Sequence, residues 1–132
     1  MSDETEGFEL IHSYTRKEAI EDGSLIDVSD TREAKELFIR FPIALTRSVW
    51  KKYVEVLKGV TCQDIHGRLW DILWIFRLTT RQSRTATDTV LFKVHVRNNN
   101  SPGTPPLVTL KGICGPGDQG EAVLTIMLPE ED

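Results

Sequence analysis

Residues Asp64 to Leu78 read as one long helix, apolar on almost every side between Trp70 and Phe76. A surface helix normally keeps one apolar stripe and one polar face. A helix with so little polar face is either enclosed by its own domain or half-covered and completed by a partner. No other stretch points as clearly toward a function. Trp70 and Trp74 stand one turn apart, displaced around the helix from the core line of Ile65, Leu69, Ile72 and Phe76. Two readings follow. Both indoles pack under a sheet or against the Trp50 helix, or they form, beside Leu78, an aromatic stripe where another chain docks. Trp is a typical hot-spot residue of interfaces. Trp70, Trp74 and Leu78 are therefore the candidate partner-binding residues.

A chain of 132 residues suits one domain with a core that needs no staples. No apolar run approaches the roughly 18 residues of a membrane span. Met1 to Glu6 is acidic and lacks the apolar region of a secretory signal, so a cytoplasmic protein is expected. Cys62 and Cys114 are expected to be free thiols. The three histidines, His12, His66 and His95, are scattered, and no zinc-type cysteine pair accompanies them.

Charge is segregated along the chain. Residues 1–36 hold 11 acidic and 4 basic side chains, residues 37–111 hold 4 acidic and 12 basic, and residues 112–132 hold 5 acidic and none basic. Either the acidic ends fold back on the basic middle, or the surface has two faces, one suited to polyanions and one to basic protein.

Residues 1–7 are expected to be a disordered acidic terminus, and residues 8–132 a single domain. Phe8 to Ile11 reads as an extended arm. Thr15 and Glu18 form a capping box that opens a helix over 16–22, closed at Gly23. Ser24 to Val28 reads as a short strand. Asp30-Thr31-Arg32-Glu33 opens a second helix, to about Phe38. Phe41 to Leu45 is extended, since Pro42 disfavours a helical Phe41. Thr46 caps a helix predicted over Arg47 to Lys58, and the long helix runs from about Asp64 to about Gln82. Val90–Val96, Leu107–Cys114 and Glu121–Leu128 then read as three strands of an antiparallel meander. Helices followed by strands predict an α+β fold, with N-terminal helices on a C-terminal three-stranded antiparallel sheet that the Leu25 strand can widen.

Three segments carry a resemblance. They are Tyr14-Thr15-Arg16 through Asp27-Val28, Phe41-Pro42-Ile43-Ala44-Leu45-Thr46 through Val49-Trp50, and Gly112 through Cys114-Gly115-Pro116-Gly117-Asp118 to Asp132. With Gly67-Arg68-Leu69-Trp70-Asp71, they resemble a family of small prokaryotic proteins also carried on phage and plasmid DNA, a domain of unknown function. The resemblance implies a domain identity and a mobile-element setting. It implies no activity and transfers no catalytic residue.

Candidate chemistry is sparse. Asp64, Arg68 and Asp71 share one helix flank, with Arg68 spaced to pair with both carboxylates, while His66 and Arg77 lie on the other. Acid–base catalysis needs convergent groups. These diverge, so ordinary flank ion pairs are expected, and His66 is read as a donor to a backbone carbonyl. The Gly115–Gly120 loop lacks the Lys-Ser/Thr pair and following helix of a phosphate loop, and Asp118 is expected to hold the turn. Asp22, Asp27 and Asp30 fall on a cap, a strand and a second cap rather than in a metal cluster. Lys51, Lys52 and Lys58 on one helix, and Arg77, Arg81 and Arg84 at the end of the next, are the candidate nucleic-acid-binding residues.

The expectation is a non-enzymatic cytoplasmic binding or adaptor protein of mobile-element type, acting by protein–protein contact without cofactor or metal. A second copy of the chain and a host or phage protein are the expected partners, nucleic acid the less favoured one, and a membrane none. The alternatives are a nucleic-acid accessory protein using the basic middle and, third, a small enzyme of unknown reaction.

Overall fold

Three threonines open three helices in the same way. Thr15, Thr31 and Thr46 each hold an extended backbone, and each hydroxyl accepts the amide three residues on, from Glu18, Ala34 and Val49. This satisfies one of the amides that every helix start leaves without an internal partner. The structure, a computed structural model, describes residues 14–82 and 88–132. The expectations for residues 1–7, for the Phe8–Ile11 arm and for Arg84 lie outside them.

In chain order the elements are α1 (Arg16–Glu21), β1 (Leu25–Asp27), α2 (Arg32–Glu36), β2 (Ile43–Thr46), α3 (Arg47–Val49), α4 (Ile65–Gln82), β3 (Thr89–His95), β4 (Leu107–Pro116) and β5 (Ala122–Met127). α3 continues as a π-helical stretch, Trp50–Val54. The strands form one sheet in the order β1-β2-β5-β4-β3. β3–β4 and β4–β5 are antiparallel, as expected of the meander. The sheet as a whole departs from the expectation: it has five strands and is mixed, because β2 pairs parallel with β5 and antiparallel with β1. The signal was weak for a physical reason. Ile43-Ala44-Leu45-Thr46 is buried throughout, so it shows no alternation, and its length is too short for periodicity to speak.

The helix predicted over Arg47–Lys58 ends early, at Val54, with Glu55 already extended. The amide of Glu55 reaches back to Trp50 O at 2.8 Å, which widens the last turn. The carbonyl of Val54 is taken instead by Arg68 Nε at 3.1 Å. A donor from another element thus lets the chain leave the helix without stranding that carbonyl.

One face of the sheet carries the core. Ile43, Leu45, Phe92, Val94, Leu110 and Ile126 pack with Leu69, Ile72, Leu73 and Phe76 of α4. α2 packs on α4, while α1 packs on β1. Phe76 and Phe92 meet with ring centroids 5.5 Å apart. Gly112 faces this contact, and a Cβ there would lie 2.3 Å from Phe76 Cε1. Gly112→Ala is therefore expected to lower stability by about 1–3 kcal/mol through overpacking, measured by urea denaturation.

Candidate functional site

The end of α2 breaks a rule of helix termination. The amide of Phe38 bonds Lys35 O, and that of Ile39 bonds Ala34 O, at 3.1 and 3.0 Å. This is the double bond pattern in which a left-handed residue, usually glycine, ends a helix. Here the left-handed residue is Phe38, with φ 56°. An L residue in that conformation costs roughly 1–2 kcal/mol. Its side chain gains little cover in return, being 71% exposed. Three residues on, Phe41 is 54% exposed. Ile39 between them turns inward and packs on the core.

The last turns of α4 complete the site. Phe38, Arg40 and Phe41 line a groove of about 280 Å³ together with Arg77, Thr80 and Arg81. Phe76 and Leu124 supply its apolar floor. Among the described residues its charged lining is wholly cationic. Arg40, Arg77 and Arg81 make no ion pair among the described residues, and of the basic middle only His66 enters one, with Glu33. Among the described residues, no carboxylate pairs with these guanidinium groups. Arg77 and Arg81 were legible in the sequence as half of a basic set. Phe38, Arg40 and Phe41 were missed, although Phe38-Ile39-Arg40-Phe41 interleaves aromatic and basic residues just before a proline.

The other half of that set lies elsewhere. Lys51, Lys52 and Lys58 are exposed on and after the π-helical stretch, which meets α4 at Arg68. Arg68 is nine residues from Arg77 and thirteen from Arg81, about 14–20 Å along the helix at 1.5 Å per residue. The described lysines thus neighbour the start of α4 and the described arginines its end.

Trp70 and Trp74 stack, with centroids 5.5 Å apart and planes 27° from parallel. Trp70 is half-buried against the core, whereas Trp74 is 36% exposed and Leu78 half-buried. Trp70, Trp74, Arg77 and Arg81 follow at spacings of four, three and four residues, which sets them along one helix face beside the groove.

A self-satisfied polar cluster gathers where α1 meets β5, the turn before it and the C-terminal segment. Asp118, expected to hold its own turn, instead accepts the amides of Arg16 at 2.8 Å and Lys17 at 3.0 Å. It caps α1 from about a hundred residues away and fills the place an anion would take at that helix start. The Arg16 guanidinium donates to Thr125 Oγ1 and Leu124 O, both at 2.8 Å. Glu131 accepts Thr46 Oγ1 at 2.9 Å and the Leu128 amide at 2.8 Å. Tyr14 donates to Asp22, which also takes the Ser24 amide and is held below the usual carboxylate range by these bonds. The sequence segments that carry the resemblance thus meet here as architecture.

A family of unknown function, DUF6573, matches residues 1–132. The chain belongs to this family. Neither a curated protein nor a solved structure matches it.

The flank of α4 corrects two further expectations. Arg68 pairs with neither Asp64 nor Asp71. It is buried, and donates to Val54 O, Gln63 Oε1, Arg97 O at 2.6 Å and Asn98 Oδ1 at 2.6 Å, all neutral. Asp64 accepts the Gly67 amide at 2.7 Å and so caps α4. His66 meets a carboxylate rather than a backbone carbonyl, its Nδ1 lying 2.8 Å from Oε1 of the buried Glu33. Asp27 binds the amide and hydroxyl of Ser29. Cys62 and Cys114 are free and exposed.

Asp71 borders a small cleft with Tyr53, Gln63 and Arg68, open to solvent on its outer side. Partial burial raises its carboxyl above the ordinary value. A carboxyl whose folded pKa is raised costs stability once it ionises, so the cost is present at neutral pH and vanishes below the unfolded value of about 3.9. Asp71→Asn should raise the melting temperature at pH 7 and leave it unchanged near pH 3.

Proposed function

We propose that the protein is a non-enzymatic binding or adaptor protein of a phage or plasmid setting, working through protein–protein contact at the groove and the adjoining tryptophan stripe. The observation that carries this reading is Phe38. An aromatic side chain held in a left-handed conformation, and left exposed, stores strain without a packing return. Such strain characteristically marks functional sites. Around it, two exposed phenylalanines, three arginines without an ion-pair partner among the described residues and a half-exposed indole occupy contiguous surface. Aromatic residues and arginine are the types enriched at interfaces.

The interleaving of arginine and phenylalanine also favours a second reading, a nucleic-acid accessory protein that stacks bases and binds phosphates. Binding to DNA and RNA at low and high salt separates the two. A phosphate contact falls steeply as salt rises, with a log–log slope near one per neutralised phosphate. The protein-contact reading expects no such salt-steep binding at the groove. Binding lost on Arg77→Gln with Arg81→Gln would transfer the groove to nucleic acid.

The simplest protein partner for the tryptophan stripe is a second copy. Trp74→Glu is then expected to yield a smaller species in sedimentation with an unchanged circular dichroism spectrum. A wild-type chain that sediments as a monomer throughout would remove the self-association, and a Trp74→Glu chain that unfolds would assign the indole to the core.

A further inference from the structure

From the lining of the groove, and resting on the protein-contact reading above, we infer that its occupant is an acidic protein segment anchored by one aromatic or aliphatic side chain. The groove offers two chemistries at once. Its floor, Phe76 and Leu124, is apolar and concave, and takes a side chain inserted from above. Its rim places Arg40, Arg77 and Arg81 around that floor with no carboxylate among the described lining residues. An arginine binds a carboxylate through two parallel hydrogen bonds, so a rim of this kind selects Asp and Glu on either side of the anchor.

The volume of about 280 Å³ is at the lower edge of ligand pockets, room for one or two side chains rather than a cofactor. A nucleic-acid strand fits less well for two reasons. Successive bases need flat aromatic platforms along a continuous cationic track. Among the described residues, Lys51, Lys52 and Lys58 belong to the π-helical stretch and the segment after it, which meets α4 at Arg68 and not at the groove. The chain as a whole is also acidic, with net charge −4. Screening confines charge effects to about 8 Å at physiological salt. A short acidic segment therefore interacts chiefly with the arginines, while a longer polyanion also meets the net negative charge of the chain.

Selection of a random dodecapeptide library on the full-length immobilised protein tests this. The expected result is enrichment of sequences with a Phe, Trp, Leu or Ile flanked by Asp or Glu. That bias should disappear with Arg77→Gln/Arg81→Gln, whose side chains make no ion pair among the described residues and whose variant should keep its circular dichroism spectrum. The enriched peptide should lose affinity by about tenfold or more on this double substitution, or when its carboxylates become amides. Groove-dependent enrichment without acidic bias would overturn the inference and leave the protein-contact reading standing. Competition by oligo(dT) more effective than the peptide itself would overturn both. Enrichment seen only when the protein is too dilute to self-associate would give the groove to a second copy, against the inference. No groove-dependent enrichment would also overturn it.

Discussion

Arg68→Ala should lower stability by about 3–5 kcal/mol. The guanidinium is buried and serves four acceptors: Val54 O, Gln63 Oε1, Arg97 O and Asn98 Oδ1. It ties α4 to the end of the π-helical stretch and to the segment that follows β3. Truncation leaves at least two backbone carbonyls without this donor, and a buried unsatisfied polar group costs about 1–3 kcal/mol. The magnitude decides between two accounts of this residue. An exposed flank ion pair with Asp64 or Asp71, as the spacing suggests, would contribute at most about 1 kcal/mol. Urea denaturation in the two-state regime resolves the difference. Burial also holds the guanidinium below its ordinary pKa, in keeping with a charge kept by hydrogen bonds rather than by a counter-ion.

Phe38→Gly should separate stability from binding. Relief of the left-handed strain contributes roughly 1–2 kcal/mol in favour of the variant. The added freedom of glycine in the unfolded chain opposes this by about 0.5–1 kcal/mol. The lost side chain is mostly exposed, so little buried area goes with it. Stability should therefore hold or rise by up to about 1 kcal/mol, while affinity for an acidic groove ligand falls about tenfold or more. A substitution that stabilises the fold and removes binding is the signature of a residue kept for contact. Loss of more than about 1 kcal/mol would instead make Phe38 a packing residue.

The parts of this structure that were legible in the sequence are local. Thr15, Thr31 and Thr46 cap helices through residues three positions away, and α4 shows its extent through eighteen residues of helix-forming sequence. Phe92 and Val94 alternate with Leu91 and Lys93 because that part of the sheet is covered on one face only. What was not legible is made by contacts distant in sequence. Ile43–Thr46 becomes an inner strand only when β5 arrives beside it. The Val54 helix end is set by Arg68, and the start of α1 is completed by Asp118. The groove joins Phe38–Phe41 to Arg77–Arg81, and neither segment declares it alone. Phe38 gave a weak signal because a left-handed helix end predicts glycine, and Gly is absent there.

The central claim, that this groove is a protein-contact surface, is tested most directly by a photo-crosslinking benzoylphenylalanine in place of Phe41. That side chain is exposed at the rim, so the substitution leaves the core intact. Irradiation in the native host should yield discrete adducts that protease removes and nuclease does not, and that vanish in the Phe38→Gly background. Adducts sensitive to nuclease, or adducts unchanged by Phe38→Gly, would contradict the account.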